Sequence, residues 1–150
     1  MIIIAHRGLL EGPNKQLENH PEQVEKAIEE NFNVELDVRV IDNRIFLGHD
    51  TPDYEVGEEW LISVAPFLWI HCKNVDALTY FKHRQYNFHY FWHEEDTLTL
   101  TSKGYVWVYP GKQPVINSIA VMPELHNDDV SQCVGICTDY SYDYRKRYDS

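Results

Sequence analysis

Residues 33–40 read Asn33-Val34-Glu35-Leu36-Asp37-Val38-Arg39-Val40. The alternation is strict. In an extended chain Val34, Leu36, Val38 and Val40 share one face, and Glu35, Asp37 and Arg39 share the other. A strand half buried in a core is predicted, with two acids on its second face. Acids beside a core are costly unless something pairs with them, so this face is a candidate site. Asp42-Asn43 then signal a turn, and residues 44–47 return as a short hairpin strand into Gly48-His49-Asp50. Upstream, Ile2-Ile3-Ile4-Ala5 is a continuous apolar run ending in His6-Arg7-Gly8, which predicts a strand covered on both faces. Between the two, Asn19-His20-Pro21 opens a helix, with proline suited to its first position and Val24, Ala27, Ile28 and Phe32 at helical spacing.

The remainder continues the alternation of strands with helices or loops. Strands are predicted over 67–70, 88–92, 105–109, 118–122 and 134–138, with a helix over 76–85. The tail, with Arg145-Lys146-Arg147 among tyrosines, reads as a solvated end. Strands separated in this way favour a parallel sheet. Polar residues at their C-terminal ends favour a barrel with its site at those ends. The expected fold is therefore α/β, a compact TIM-like (β/α) barrel. A full barrel of this kind runs to ~250 residues, so with 150 residues several helices must be shortened or missing. Residues 1–150 are expected to form one domain.

Thirteen Lys and Arg against 24 Asp and Glu give a net charge of −11. So acidic a chain is a poor general binder of nucleic acid or anionic lipid. An anionic substrate would need local positive charge, and a metal ion supplies it. No apolar run approaches the ~20 residues of a membrane span. The N-terminal run lacks a basic flank, so it reads as a strand and not a signal peptide, and a cytoplasmic location is expected. Cys72, Cys133 and Cys137 have no metal-site spacing and read as small buried thiols.

Four pieces carry the chemistry: His6-Arg7, Glu18-Asn19, Glu35-x-Asp37 and His49-Asp50. Two carboxylates at i and i+2 on one strand face can hold one hard cation. Two histidines can divide the acid and base roles of a displacement, and Arg7 offers a bidentate donor to phosphate. In this order, with Ile4-Ala5-His6-Arg7-Gly8, Glu35-Leu36-Asp37-Val38 and Gly48-His49-Asp50, the first third of the chain resembles the glycerophosphodiester phosphodiesterase family. Ile70-His71-Cys72-Lys73, Lys103-Gly104-Tyr105-Val106-Trp107 and Gly135-Ile136-Cys137-Thr138-Asp139-Tyr140 are weaker echoes of its later strands.

The resemblance implies a metal-dependent hydrolysis or cyclisation of a glycerophosphodiester or a related small alcohol phosphodiester. His6 and His49 would be general acid and base. Glu35, Asp37 and, at the family's third carboxylate position, His71 would hold a divalent metal, Mg²⁺ or Ca²⁺, with Mn²⁺ admitted by the imidazole. Glu58, Glu94 and Glu95 are further carboxylates that could complete such a shell. Arg7 and Lys73 would hold phosphate oxygens, and Trp92, His93 and Trp107 are candidate contacts to the rest of the substrate. Two alternatives stand beside this reading. One is a weak or silent barrel that binds a phosphorylated sugar or polyol; the other is a cyclising enzyme acting on a polymer such as a teichoic-acid or capsule linkage.

Overall fold

The computed structural model describes residues 1–149. The alternating stretch forms a nine-residue strand, Asn33–Ile41, and its length organises the sheet. In chain order the strands are β1 (Ile2–His6), β2 (Asn33–Ile41), β3 (Arg44–Leu47), β4 (Tyr54–Val56), β5 (Leu68–Cys72), β6 (Tyr90–Trp92), β7 (Leu98–Leu100), β8 (Val106–Val108), β9 (Ser118–Val121) and β10 (Gly135–Thr138). The first part of β2 pairs in parallel with β1, from Ile4↔Asn33 to His6↔Glu35. Beyond the end of β1, the same edge pairs antiparallel with β3, from Val38↔Leu47 to Ile41↔Arg44. Its other edge is taken by β5, in parallel, from Val34↔Leu68 to Val38↔Cys72. The helices are α1 (Pro21–Glu29), α2 (Glu58–Val64), α3 (Val75–Lys82) and α4 (Ser141–Tyr148).

One wing of the sheet continues from β5 to β6. The other runs from β1 through β10, β9 and β8 to β7. The sheet curls until β6 and β7 approach. Isolated bonds join them, from the Ser102 N–H to the Tyr90 carbonyl at 2.8 Å and from the Thr99 hydroxyl to the Trp92 carbonyl at 3.0 Å. Among the described residues no ladder links these two strands.

The expected TIM-like (β/α) barrel is therefore not what forms. The described residues form a mixed, ten-stranded half-barrel with four short helices. The reason lies in the connections. The pairs β2–β3, β3–β4 and β7–β8 are antiparallel, and antiparallel neighbours need no crossover helix. The link from β8 to β9 carries Pro110, Gly111 and Pro114, which suit loops and break helices. The link from β9 to β10 holds only a 3₁₀ turn, Pro123–Leu125. Sequence reading missed β4 and β7, each three residues long and too short to show a period, together with α2 and α4.

The two faces of the curl bury separate cores. On the convex face Val34, Leu36, Val38 and Val40 pack with Val24 and Ala27 of α1, Leu61 of α2, and Ala77 and Phe81 of α3. On the concave face Ile4, Trp69, Phe91, Trp107, Ile119 and Cys137 form the floor. The tail is exposed at Lys146 and Arg147, as expected, but it is helical and anchored on its inner side. It forms α4, whose Tyr144 packs on Ala120 and Ile136, and whose Arg145 guanidinium lies 3.6 Å from the Phe32 ring centroid. Among the described residues no helix is long and apolar enough to cross a membrane.

Leu36 sits fully buried between the convex sheet and its helices. Leu36→Ala leaves a cavity there and is expected to cost about 2–5 kcal/mol of folding stability, read from urea unfolding at constant m-value.

Candidate functional site

Parity places the polar face of β2 on the concave side. Along with Glu35 and Asp37, the concave positions include His6 of β1, His71 of β5 and, just past the strand ends, His93, Tyr109 and Asp139. These polar groups lie at the C-terminal ends of the parallel strands, the end at which open α/β sheets bind ligands. They meet in a cavity of about 590 Å³. Arg7, His49, Lys73, Trp92, Glu94, Glu95 and Trp107 also line it. His6, His49, Glu35, Asp37, His71, Arg7, Lys73, Trp92, His93 and Trp107 thus line one space, although they come from separate segments of the chain.

Glu35 and Asp37 are almost completely buried, at 2 % and 1 % exposure. Several groups bear on them. The Arg7 backbone N–H donates to Glu35 Oε1 at 3.2 Å, while its Nε lies 3.0 Å from Asp37 Oδ2 and its Nη1 donates to Glu18 Oε2 at 3.1 Å. Arg7 reaches three acids from a left-handed backbone, φ 55°, a conformation that costs a non-glycine residue of order 1 kcal/mol. Asn19, also left-handed at φ 59°, is 1 % exposed and grips Asp37 twice. Its Nδ2 donates to Asp37 Oδ2 at 2.9 Å, and its Oδ1 accepts from the Asp37 backbone N–H at 3.0 Å. Asp37 Oδ1 is left facing His71 Nδ1 at 3.5 Å, and Glu35 Oε2 faces the same nitrogen at 3.7 Å.

Burial pushes both carboxyls up, but their neighbours separate them. The electropositive neighbours His71, His6 and Arg7 bring Glu35 down to about 2. Asp37 stays above its ordinary value, because burial and the Glu35 charge outweigh Arg7, His71 and Asn19. The site therefore holds more negative charge than its own cations offset.

His6 and His49 are held differently. His6 Nδ1 is 2.7 Å from Asp139 Oδ1, and its Nε2 lies 3.9 Å from Glu35 Oε1. Burial alone would lower the His6 pKa; the Asp139 hydrogen bond and the Glu35 charge outweigh it and raise the value above 6.5. Asp139 was not singled out as a site residue, although an acid closing a strand after Thr138 is the available signal. His49 is more open, with Nδ1 2.7 Å from Asp50 Oδ1. The preceding Gly48 donates its N–H to the Asp37 carbonyl at 3.0 Å, bringing the loop back beside the acids. A Cβ on Gly48 would lie 1.8 Å from the Thr51 carbonyl oxygen, so only glycine permits this turn. Arg39 clamps the same loop, donating to the Gly48 and His49 carbonyls.

The aromatic wall divides between packing and lining. Trp107 is buried against Phe91 and Trp69, with centroids at 4.7 and 5.8 Å, so it forms floor. The His93 ring is committed to its own loop, with Nε2 2.7 Å from the Asp96 carbonyl and an edge contact to Tyr109. Trp92 packs partly on the convex core. Tyr109 is the exposed aromatic of the wall. Glu58 does not reach the cavity; it pairs with Tyr80 and Arg84. All three cysteines are free, and burial holds the Cys72 thiol at about 12, which removes it as a nucleophile.

The donor set fits a divalent cation. Glu35, Asp37 and His71 each present one ligand atom, all within 4.8 Å of one another. Two buried acids and an imidazole nitrogen facing one another are the kind of donor set that could hold such an ion.

The chain matches no family model, no curated protein and no solved structure.

Two outcomes check this geometry. Asn19→Gly keeps a residue at ease with positive φ while removing both bonds to Asp37, and is expected to lose roughly 1–3 kcal/mol of thermal stability. For His6 the sign is set by its raised pKa. The folded chain holds that proton more tightly than the unfolded chain, so the contribution is full below pH 6.5 and fades as pH climbs through the raised value. Melting curves of wild type and His6→Gln should therefore differ most in mild acid and converge in mild alkali.

Proposed function

We propose that this chain is a phosphodiesterase acting on a small alcohol phosphodiester such as a glycerophosphodiester. The observation that carries the reading is the meeting of His6, His49, Arg7, Lys73 and the buried Glu35–Asp37 pair around one cavity. Phosphoryl transfer asks for charge compensation and positioned proton donors more than for covalent chemistry. Arg7 and Lys73 are cations that can take phosphate oxygens. A divalent cation held by Glu35, Asp37 and His71 would offset the charge that builds on those oxygens.

The histidines divide the proton work by their partners. The Asp139 carboxylate accepts the His6 Nδ1–H, so Nε2 is the atom turned to the reaction. The Asp139 hydrogen bond and the Glu35 charge favour the protonated form of His6, which suits the acid that protonates the departing alkoxide. His49, whose Nδ1–H is directed to Asp50, has Nε2 free to take the proton of the attacking hydroxyl. The attacker forms a new P–O bond as the ester P–O bond breaks. It is either water or a neighbouring hydroxyl of the substrate, the latter giving a cyclic phosphate.

Purified protein supplied in turn with Mg²⁺, Ca²⁺, Mn²⁺ or Zn²⁺ is expected to cleave glycerophosphocholine, glycerophosphoethanolamine or a chromogenic diester. His6→Ala and His49→Ala should each lower kcat by about 10²–10⁴-fold while the folded circular-dichroism spectrum is retained. Undiminished turnover in both variants would end the two-histidine reading. Stabilisation by glycerol phosphate without turnover under any metal would replace it with a binding protein for phosphorylated polyols.

A further inference from the structure

His71 is the unusual member of the acidic cluster, and its hydrogen bonding decides what it can do. Its Nε2 lies 2.8 Å from the His93 backbone carbonyl. A carbonyl only accepts, so Nε2 carries the hydrogen, and Nδ1 of the neutral ring is a lone pair. That lone pair is aimed at Asp37 Oδ1 and Glu35 Oε2. The ring is held in place. It stacks on Phe91 at 4.9 Å and 20°, and a flip would break the bond to His93. The His93 ring in turn pins the 93–96 turn through the Asp96 carbonyl. A histidine whose second nitrogen donates to a backbone carbonyl is arranged as a preoriented metal ligand.

Charge counting sets the charge of the cation that such a cluster would balance. Glu18, Glu35, Asp37 and Asp139 carry four negative charges, against which stand the Arg7 guanidinium, shared with Asp37 and Glu18, and the protonated form of His6 between Asp139 and Glu35. Two negative charges are left, which a dication balances and a proton on His71 does not. Ligand chemistry then narrows the ion. Mg²⁺ and Ca²⁺ take oxygen donors, whereas imidazole favours Zn²⁺ and Fe²⁺, with Co²⁺ between them in the affinity series.

We propose that Glu35, Asp37 and Nδ1 of His71 form a centre selective for a divalent transition ion of the Fe²⁺–Co²⁺–Zn²⁺ group over Mg²⁺ and Ca²⁺. The proposal deepens the phosphodiesterase reading by naming its cation, and it is tested without turnover. Protein stripped with a chelator is titrated with Zn²⁺, Co²⁺, Mg²⁺ and Ca²⁺ by equilibrium dialysis, and its melting temperature is followed. Zn²⁺ and Co²⁺ are expected to bind one per chain, at least about a hundredfold tighter than Mg²⁺ or Ca²⁺, with Co²⁺ showing visible d–d absorption. Glu35→Gln should abolish the stoichiometric site, which separates it from adventitious binding at surface histidines. His71→Glu should narrow or reverse the preference by at least about tenfold. If His71→Glu fails to fold, His71→Gln serves, with loss of Zn²⁺ affinity as its readout. Equal affinity for Mg²⁺ and Zn²⁺, an unchanged ratio in the folded His71 variant, or no binding of any ion would each overturn the proposal. Selective Zn²⁺ binding with no cleavage of any diester would leave it standing and remove the phosphodiesterase reading instead.

Discussion

Two carboxylates on one strand, sealed from water, are the constraint around which the rest of this protein is arranged. Desolvating them is expensive unless cations and donors stand close by. The surroundings of Glu35 and Asp37 supply such groups from every side. Arg7 brings a guanidinium and a backbone N–H, Asn19 brings an amide that fits one edge of Asp37, and His71 and His6 bring imidazoles. Arg7 and Asn19 both take left-handed backbones to deliver those groups. Such strain persists where the surrounding contacts over-determine it, and here those contacts belong to the acid pair.

The sheet provides that neighbourhood through β2. Because β1 is short, one edge of β2 serves two partners in succession, β1 and then β3. His6-Arg7, which follows from β1, and Gly48-His49, which follows β3, are thereby brought to the same strand from the same side. Pairing of β5 on the other edge sets His71 level with Asp37. Parallel pairing of β10 with β1, which sets Ala5 level with Thr138, places Asp139 beside His6 although 133 residues separate them in the chain. Convex packing of helices on Val34, Leu36 and Val38 holds this strand rigidly, which a site with sub-ångström demands on geometry requires.

The two histidines illustrate how environment divides one residue type into two roles. His6 lies inside, between Asp139 and Glu35, and its protonated form is favoured. His49 stands at the rim on a glycine-dependent turn with Asp50 beside it. Pairs of titratable groups whose surroundings differ in this way are the usual basis of paired acid and base chemistry.

The amino-acid sequence by itself determined the alternation of β2, the buried β1, the hairpin at Asp42-Asn43 and the identity of the acids and histidines. These are local properties: period, turn chemistry and residue type survive without knowledge of the remaining chain. The (β/α) barrel inferred from them failed, because strand order and pairing direction depend on contacts between distant segments. Three-residue strands such as β4 and β7 carry no periodic signal, and α4 looked polar because its packing partners, Phe32 and Ile136, lie far away in sequence. Only the tertiary structure decided that Asp139 orients His6, that Asn19 orients Asp37, and that the His93 carbonyl selects which nitrogen of His71 faces the acids. Each of these is a hydrogen bond between groups whose proximity is produced by folding, so residue type could name the participants and only their arrangement could assign the bonds.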